Sequence, residues 1–292
     1  MTISQRPVLY HDLLQIRQKI WSRWRRNEFA PGIVAELQQL REVNHKKKGY
    51  DFAQAHGIPV VPHQLFENID EVFENDIPAR CVIKPLSGHS SSGVYLLETL
   101  AGGAFQCHMH NCRFDAAADV IAHYKAAQER LGKGHIANDE VLLEKYVEDS
   151  LGFDVPLDYK VYGFKTGTPV VMQRYAPMHI SKSDWSFAFY DAEGNRLESI
   201  RKNVNRTPTA DLRKPHNFDE IIKVSKDFMA AAANLSFVRI DLFSTKDGVL
   251  FGEATPAPNR GKEQYTPKYE AILGKYWTDS LDALGLEYYD PD

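Results

Sequence analysis

Residues 237–261 read FVRIDLFSTKDGVLFGEATPAPNRG. Two apolar runs flank Ser244-Thr245-Lys246-Asp247-Gly248, a turn cluster ending in Asp-Gly, so the stretch predicts a β-hairpin. Successive side chains of a strand point to opposite faces, which puts Val238, Ile240 and Leu242 on one side and Arg239 and Asp241 on the other. In the second strand Val249, Phe251, Glu253 and Thr255 share a face. With the five turn residues as the loop, Phe243 opposes Val249, Asp241 opposes Phe251 and Arg239 opposes Glu253. Two carboxylates and an arginine then converge on one face. Charges among apolar strands are costly unless something pairs them. One reading is a seat for Mg²⁺, which keeps positions open for phosphate oxygens. The other is a cross-strand Arg–Glu pair on a solvated face.

Working outward, 292 residues fit one large domain or two smaller ones. Apolar residues make up 43% and charged residues 25%, ordinary values for a soluble globular chain. A net charge of −4 argues against a nucleic-acid binder working by bulk electrostatics. Three cysteines, Cys81, Cys107 and Cys112, do not make a disulfide scaffold. MTISQRPVLY lacks an apolar signal core, and no run reaches a membrane span, so the expected location is cytoplasmic.

In chain order, residues 11–30 predict a helix with Leu13, Ile16, Ile20 and Trp24 inward and Arg17, Arg23 and Arg26 opposite, a basic face read as solvated, with an acidic partner or substrate as the alternative. A second helix follows over residues 33–43, then the Lys46-Lys47-Lys48 cluster and a short helical segment stopping at Gly57. Residues 80–98, RCVIKPLSGHSSSGVYLLE, predict strand, flexible small-residue loop and strand. Such a loop can lay N–H groups and hydroxyls around phosphates, although it matches neither Walker A nor GxGxxG. In AFQCHMHNCRF, Cys107, His108, His110 and Cys112 invite a zinc reading. Alternation splits them between faces of one strand, and no second ligand pair lies nearby, so strand is preferred to zinc. Residues 141–147 predict a buried strand that leaves the core at Glu144 and Lys145. A hairpin about Lys165-Thr166-Gly167 offers Asp158, Lys160 and Arg174. Residues 181–214 read as a long irregular insertion. Asn217 with Glu220 suggests a capping box opening a helix, and Thr266-Pro267 starts a last helix through Leu273.

In this order the stretches resemble the ATP-grasp superfamily: a strand ending in Lys84-Pro85, a small-residue loop, a strand ending in Glu144-Lys145, and a final hairpin carrying Arg239, Asp241, Gly252 and Glu253. The closer resemblance is to the TupA-like ATP-grasp family, associated with teichuronic-acid and other surface-polysaccharide biosynthesis. Asp158-Tyr159-Lys160, Lys214-Pro215, Phe237-Val238-Arg239-Ile240-Asp241-Leu242, Phe251-Gly252-Glu253-Ala254-Thr255-Pro256 and the later Pro267 with Leu273-Gly274 carry it, from about residue 46 onward.

The resemblance implies an α+β ATP-grasp fold, with two subdomains clamping a nucleotide. Residues 1–45 would be a helical N-terminal extension, 46–143 the first subdomain and 144–292 the second, with the metal-binding hairpin. By position, Lys46, Lys84 and the loop residues Ser90, Ser91, Ser92 and Gly93 match groups that hold the nucleotide phosphates. Glu144, Lys145 and Val147 match the linker that reads adenine. Lys160 and Arg174 would lie near the γ-phosphate, Arg239 would face an acyl phosphate, and Asp241 and Glu253 would hold Mg²⁺. Thr255 stands where many relatives have Asn, which leaves Asn259 as the further candidate ligand. The implied activity is ATP- and Mg²⁺-dependent ligation of a small-molecule carboxylate to an amine through an acyl phosphate, with the loop at 86–93 closing to exclude water. Neither a nucleic-acid partner nor a membrane span is implied, and a homodimer is compatible. A kinase acting on a hydroxyl, or a nucleotide-binding protein without turnover, are the alternatives.

Overall fold

The computed structural model describes residues 8–23, 29–87, 93–131, 140–176, 185–198, 200–201 and 210–288. Three helices come first, α1 (Tyr10–Arg23), α2 (Pro31–Asn44) and α3 (Lys46–Ala55). Then follow β1 (His63–Phe66), α4 (Ile69–Glu74), β2 (Arg80–Pro85), β3 (Tyr95–Thr99), β4 (Phe105–Cys107), β5 (Cys112–Phe114), α5 (Ala117–Leu131) and β6 (Val141–Lys145). The second half holds β7 (Asp158–Phe164), β8 (Val170–Tyr175), β9 (Ser186–Tyr190), α6 (Phe218–Ala231), β10 (Phe237–Thr245), β11 (Gly248–Thr255) and α7 (Pro267–Ala283).

The strands form two antiparallel sheets, ordered β1-β6-β2-β3-β4-β5 and β11-β10-β7-β8-β9. α4 and α5 cover the first sheet over a core that includes Val72, Ile83, Leu97, Val120 and Leu143. The second sheet is covered differently on its two faces. Val161, Val238, Ile240, Leu242 and Phe251 pack beneath α2, α3 and α6. The opposite face is apolar at one end only, where Tyr162, Phe164 and Phe237 meet α1 and α7 through Tyr10 and Trp277. The chain leaving α3 pairs with β11 before entering β1: Pro59 O accepts from Phe251 N at 2.8 Å, and Val61 N donates to Phe251 O. The first sheet is thus tethered to the hairpin of the second.

The hairpin exists in a different register from the one predicted. Its turn is the two residues Lys246-Asp247, with Thr245 opposite Gly248 and Leu242 opposite Phe251. Between Asp241 and Leu242 the register shifts by one, leaving Gly252 as the extra residue of a β-bulge. The bulge lets Phe251 and Ala254 both face the core while Glu253 and Thr255 turn to the other side. Glycine suits the position, because a Cβ would stand 2.9 Å from the Phe243 ring and 3.3 Å from Asp241 O.

Other expectations are corrected. AFQCHMHNCRF is a hairpin, not one strand: Cys107 opposes Cys112, and Asn111 takes a φ of 49° in the turn. Among the described residues no group of three or more His, Cys, Asp or Glu side chains could hold a metal ion. Arg17 is not solvated. It is buried, donating to Phe237 O, Ser236 Oγ and Tyr288 Oη and pairing with buried Glu36 at 2.7 Å. The first helix ends at Arg23 among the described residues. The lysine cluster begins α3 rather than preceding it. The 181–214 stretch contains β9, whose SFAFY run is β-rich but hidden between polar flanks. Asn217 does not cap α6 with its side chain; it accepts from Ser244 Oγ at 2.6 Å and donates to Thr245 O, bracing the hairpin. The last helix continues ten residues past Leu273.

Candidate active site

The second sheet's half-open face carries the charged residues, and the register explains why they meet. Asp241 on β10 stands opposite Glu253 on β11 and opposite Lys160 on β7, and Asp158 stands opposite Arg174 on β8. Opposed residues share a face, so five residues from four strands converge. Arg239 grips Asp241 with two bonds, Nε to Oδ1 at 2.7 Å and a terminal nitrogen to Oδ2 at 2.8 Å. That same nitrogen donates to Thr255 Oγ1 at 3.0 Å and lies 3.8 Å from a Glu253 oxygen. The Lys160 ammonium is ion-paired to Asp241 Oδ2 and lies 3.7 Å from Asp158. Arg174 Nε donates to Asp158 at 2.7 Å, and its guanidinium lies over the Trp185 ring.

Burial alone would raise the Asp241 carboxyl, but Arg239 and Lys160 hold it well below the usual carboxylate range. Asp158 is held down in the same way by Arg174 and Lys160. Glu253 goes the other way. Desolvation in the cleft and then the facing Asp241 carboxylate push it up, although the side chain remains 52% exposed and open to a ligand.

A second cluster faces this one from the first sheet. Lys84 on β2 is ion-paired to the buried Glu144 of β6, which also accepts from the Tyr50 hydroxyl. Lys46, at the start of α3, donates to Leu86 O at 3.0 Å. Its pKa is pushed down to about 8, by burial first and the Lys84 charge second, with Glu253 and Glu144 opposing. Lys46 thus senses charges from both sheets.

Among the expected residues, Arg239, Lys160, Arg174, Asp241 and Glu253 come together on one sheet, and Lys46, Lys84 and Glu144 on the facing side. Lys145 ends β6 exposed, and Val147 lies partly buried against the main core. Gly93 has a φ of 74°, and a Cβ there would meet Gln128 Nε2 at 2.5 Å. Ser90, Ser91 and Ser92, and with them the centre of the closing loop, lie outside the described residues. Asn259 sits beyond β11 with a φ of 50°, exposed, and no hydrogen bond or ion pair joins it to Asp241 or Glu253.

The donor set fits a divalent cation. Two carboxylates oppose each other directly, one of them raised by the other, and a lysine ammonium already sits on the shared side. Mg²⁺ commonly takes one or two carboxylates and leaves its other positions to water and phosphate. Asp241 and Glu253 would hold it, with Lys160 transferring toward Asp158.

The TupA-like ATP-grasp family model matches residues 34–278. The chain belongs to that family. The α+β ATP-grasp fold expected from the resemblance is therefore the fold of this chain. Among solved structures, this ATP-grasp chain is similar to D-alanine–D-alanine ligase from Helicobacter pylori at 15% identity, covering 86% of this chain and 68% of that one, with a TM-score of 0.47. It is also similar to the VanG D-Ala:D-Ser ligase from Enterococcus faecalis, at 16% identity, 83% and 62% coverage and a TM-score of 0.47. A third is the ATP-grasp ligase PsnB complexed with minimal precursor, at 12% identity, 86% and 63% coverage and a TM-score of 0.46. The chain spans 62% and 63% of the latter two. No curated protein matches it.

Sequence reasoning missed two partners in this candidate site. Tyr50 lies four residues after Lys46 on α3, a helical spacing that puts both on one side. The hydroxyl of Thr255 takes a bond from Arg239, a role visible only once the bulge has set the register.

Proposed function

We propose that the chain is an ATP- and Mg²⁺-dependent ligase that joins a carboxylate to an amine through an acyl phosphate. The observation that carries this reading is the Asp241–Glu253 pair, set beneath Arg239 and Lys160 and facing Lys84. Phosphoryl transfer needs charge neutralisation and alignment more than a protein nucleophile. Lys46 and Lys84 would orient the nucleotide phosphates, while Lys160 and Arg174 would hold the γ-phosphate as it moves to the carboxylate. Bound Mg²⁺ would neutralise phosphate charge. Arg239 would then grip the acyl-phosphate oxygens while the amine attacks the carbonyl carbon, forming C–N and releasing phosphate. Glu144, Lys145 and Val147 are proposed to border the adenine, Ser90 to Gly93 to contribute to the phosphate loop, and Asn259 to serve as an outer metal ligand. Division into 1–45, 46–143 and 144–292 belongs to the same proposal, as does a part in surface-polysaccharide synthesis. Among the described residues no helix is long and apolar enough to cross a membrane. A cytoplasmic location, where ATP and Mg²⁺ are supplied, follows from the proposed chemistry.

Candidate carboxylates and amines, including amino sugars and amino acids, would be screened together for ADP release, with mass spectrometry of products. The proposal requires free phosphate and a condensed product. Phosphate retained on a hydroxyl product would instead indicate a kinase, and nucleotide binding without ADP release a passive binder.

A further inference from the structure

Beyond Arg239 the charged face runs into a second polar centre, and there the bonding is incomplete. Tyr162 is the register partner of Arg239, so it shares that face one pair further along from Lys160 and Asp241. Tyr10 of α1 and Tyr265, just before α7, close around it: ring centroids are 6.2 Å apart for Tyr10–Tyr162, 5.5 Å for Tyr10–Tyr265 and 5.8 Å for Tyr162–Tyr265. Glu263 adjoins all three. Exposures are 0% for Tyr10 and Tyr162 and 3% for Tyr265 and Glu263. Yet Tyr10 Oη and Glu263 Oε2 have no hydrogen-bond partner among the described residues, and the Tyr162 and Tyr265 hydroxyls have none beyond each other.

Buried polar atoms are nearly always paired, and two unpaired ones beside a pair of hydroxyls bonded only to each other need an explanation. A slack frame is not the reason. His11 Nδ1 lies 2.9 Å from Glu263 O, and Glu270 accepts from both His11 N at 2.8 Å and Tyr265 N at 2.6 Å. The backbone is tied on both sides while the side-chain oxygens between are poorly paired. Burial, followed by the Glu263 charge, pushes all three hydroxyls well above the ordinary phenol range, so they stay neutral. Neither nearby cation bonds Glu263: Arg239 grips Asp241 and Thr255, its charge reaching Glu263 and Tyr162 without a bond, and Arg201 lies over the Phe187 ring.

The centre offers one carboxylate oxygen, three phenolic oxygens and aromatic walls. A phosphate or carboxylate would be repelled by Glu263. A primary ammonium carries the complementary charge, donates three hydrogen bonds and is attracted to aromatic faces. We infer that Glu263, Tyr10, Tyr162 and Tyr265 form the subsite for the ammonium group of the amine substrate. This rests on the ligase reading and deepens it: the amine enters on the far side of Arg239 from the metal carboxylates.

The probe is ethylammonium added to the full chain, read by the tyrosine difference spectrum, with ethanol and tetramethylammonium as controls. Wild type should show a saturable change with ethylammonium only. Glu263→Gln should weaken it at least about tenfold, the effect of losing one charge-assisted hydrogen bond. Tyr162→Phe should weaken it too, while melting near wild type, because its hydroxyl has only the neutral Tyr265 hydroxyl to lose. The inference is overturned by an equal response in wild type and Glu263→Gln, by no response, or by Tyr162→Phe melting lower without changing the amine response. The two readings separate cleanly. Ethylammonium binding that depends on Glu263, without ADP release for any carboxylate, removes the ligase reading and leaves an ammonium site. Amine-dependent ADP release with the same amine KM in wild type and Glu263→Gln keeps the ligase and removes the site.

Discussion

Asp241 and Glu253 face each other across β10 and β11, yet their charges are held in opposite ways. Arg239 and Lys160 stabilise the ionised Asp241, whereas Glu253 is crowded by that same carboxylate. One is a fixed anion of the fold. The other is a carboxylate that a bound cation would relieve.

Substitutions should therefore separate the two. A group whose folded pKa is raised stabilises the fold below its unfolded pKa and loses that contribution as pH rises through the folded value. At neutral pH ionised Glu253 is a burden, so Glu253→Gln should melt at or above wild type while losing the Mg²⁺ dependence of nucleotide binding. Asp241→Asn should lose the same dependence and also melt lower, because it leaves two cations facing a neutral amide. Melting curves with a Mg²⁺ titration of nucleotide affinity check both. Glu253→Gln with an unchanged Mg²⁺ response would remove it as a ligand.

Lys46 gives a pH test. Its folded pKa of about 8 lies below the unfolded value, so in the window between them the unfolded chain holds a proton that the folded chain has released. Stability from this group is present above the window and is lost as pH falls through 8. Lys46→Met should flatten that slope and melt higher at pH 7. Nucleotide affinity runs the opposite way, since a bound phosphate favours the ammonium. Affinity should fall between pH 8 and 9.5 in wild type, with proton uptake seen as buffer-dependent binding heat. Lys46→Met should bind about tenfold to a hundredfold more weakly at pH 7, the loss expected for a charged hydrogen bond. A pH-independent affinity in wild type would contradict the assignment.

The elements that repeat a simple period were legible in the sequence. Helix spacing marked α1, α2 and α6, and Asp-Gly marked the hairpin turn. Convergence of Arg239, Asp241 and Glu253 also survived, although by a different route. Period-two reasoning assumes no bulge, and with the true two-residue turn it would have buried Glu253 opposite Ile240. Gly252 is the correction, and its signal was the Phe-Gly-Glu spelling itself. Arg17 was misread because periodicity reports apolar faces and cannot see a carboxylate arriving from α2. The Tyr10–Tyr162–Tyr265 centre joins three distant segments, and no local pattern could announce it.

The bulge itself can be tested. Gly252→Ala places a methyl 2.9 Å from the Phe243 ring and 3.3 Å from Asp241 O. The ring can yield, but the carbonyl belongs to the strand carrying Asp241, a proposed metal ligand. Overpacking of this kind costs about 1–3 kcal/mol. The variant should melt lower, and at temperatures where it is fully folded its Mg²⁺ affinity should also fall. Equal Mg²⁺ affinity in the folded variant would mean that the bulge sets stability without setting the carboxylate pair.

Arg239 is the strongest test of turnover against passive binding. Its planar fork makes two bonds to Asp241 and one to Thr255 Oγ1, and a lysine cannot reproduce that geometry. Losing a preorganised donor of this type costs about 10²–10³ in rate. Arg239→Lys should keep nucleotide affinity near wild type while product formation falls by about that factor. The substitution also weakens the hold on Asp241. A group with a depressed folded pKa contributes stability above its unfolded value and loses it as pH falls through the folded one. Moving the Asp241 pKa upward should therefore make acid unfolding begin at higher pH. Thr255→Val removes only one acceptor, so its rate should fall far less, and this separates charge on the reacting phosphate from the posture of the arginine. If Arg239→Lys unfolds earlier in acid but turns over at the wild-type rate when folded, Arg239 serves the hairpin alone, and stabilisation of the acyl phosphate must come from Lys160 or Arg174.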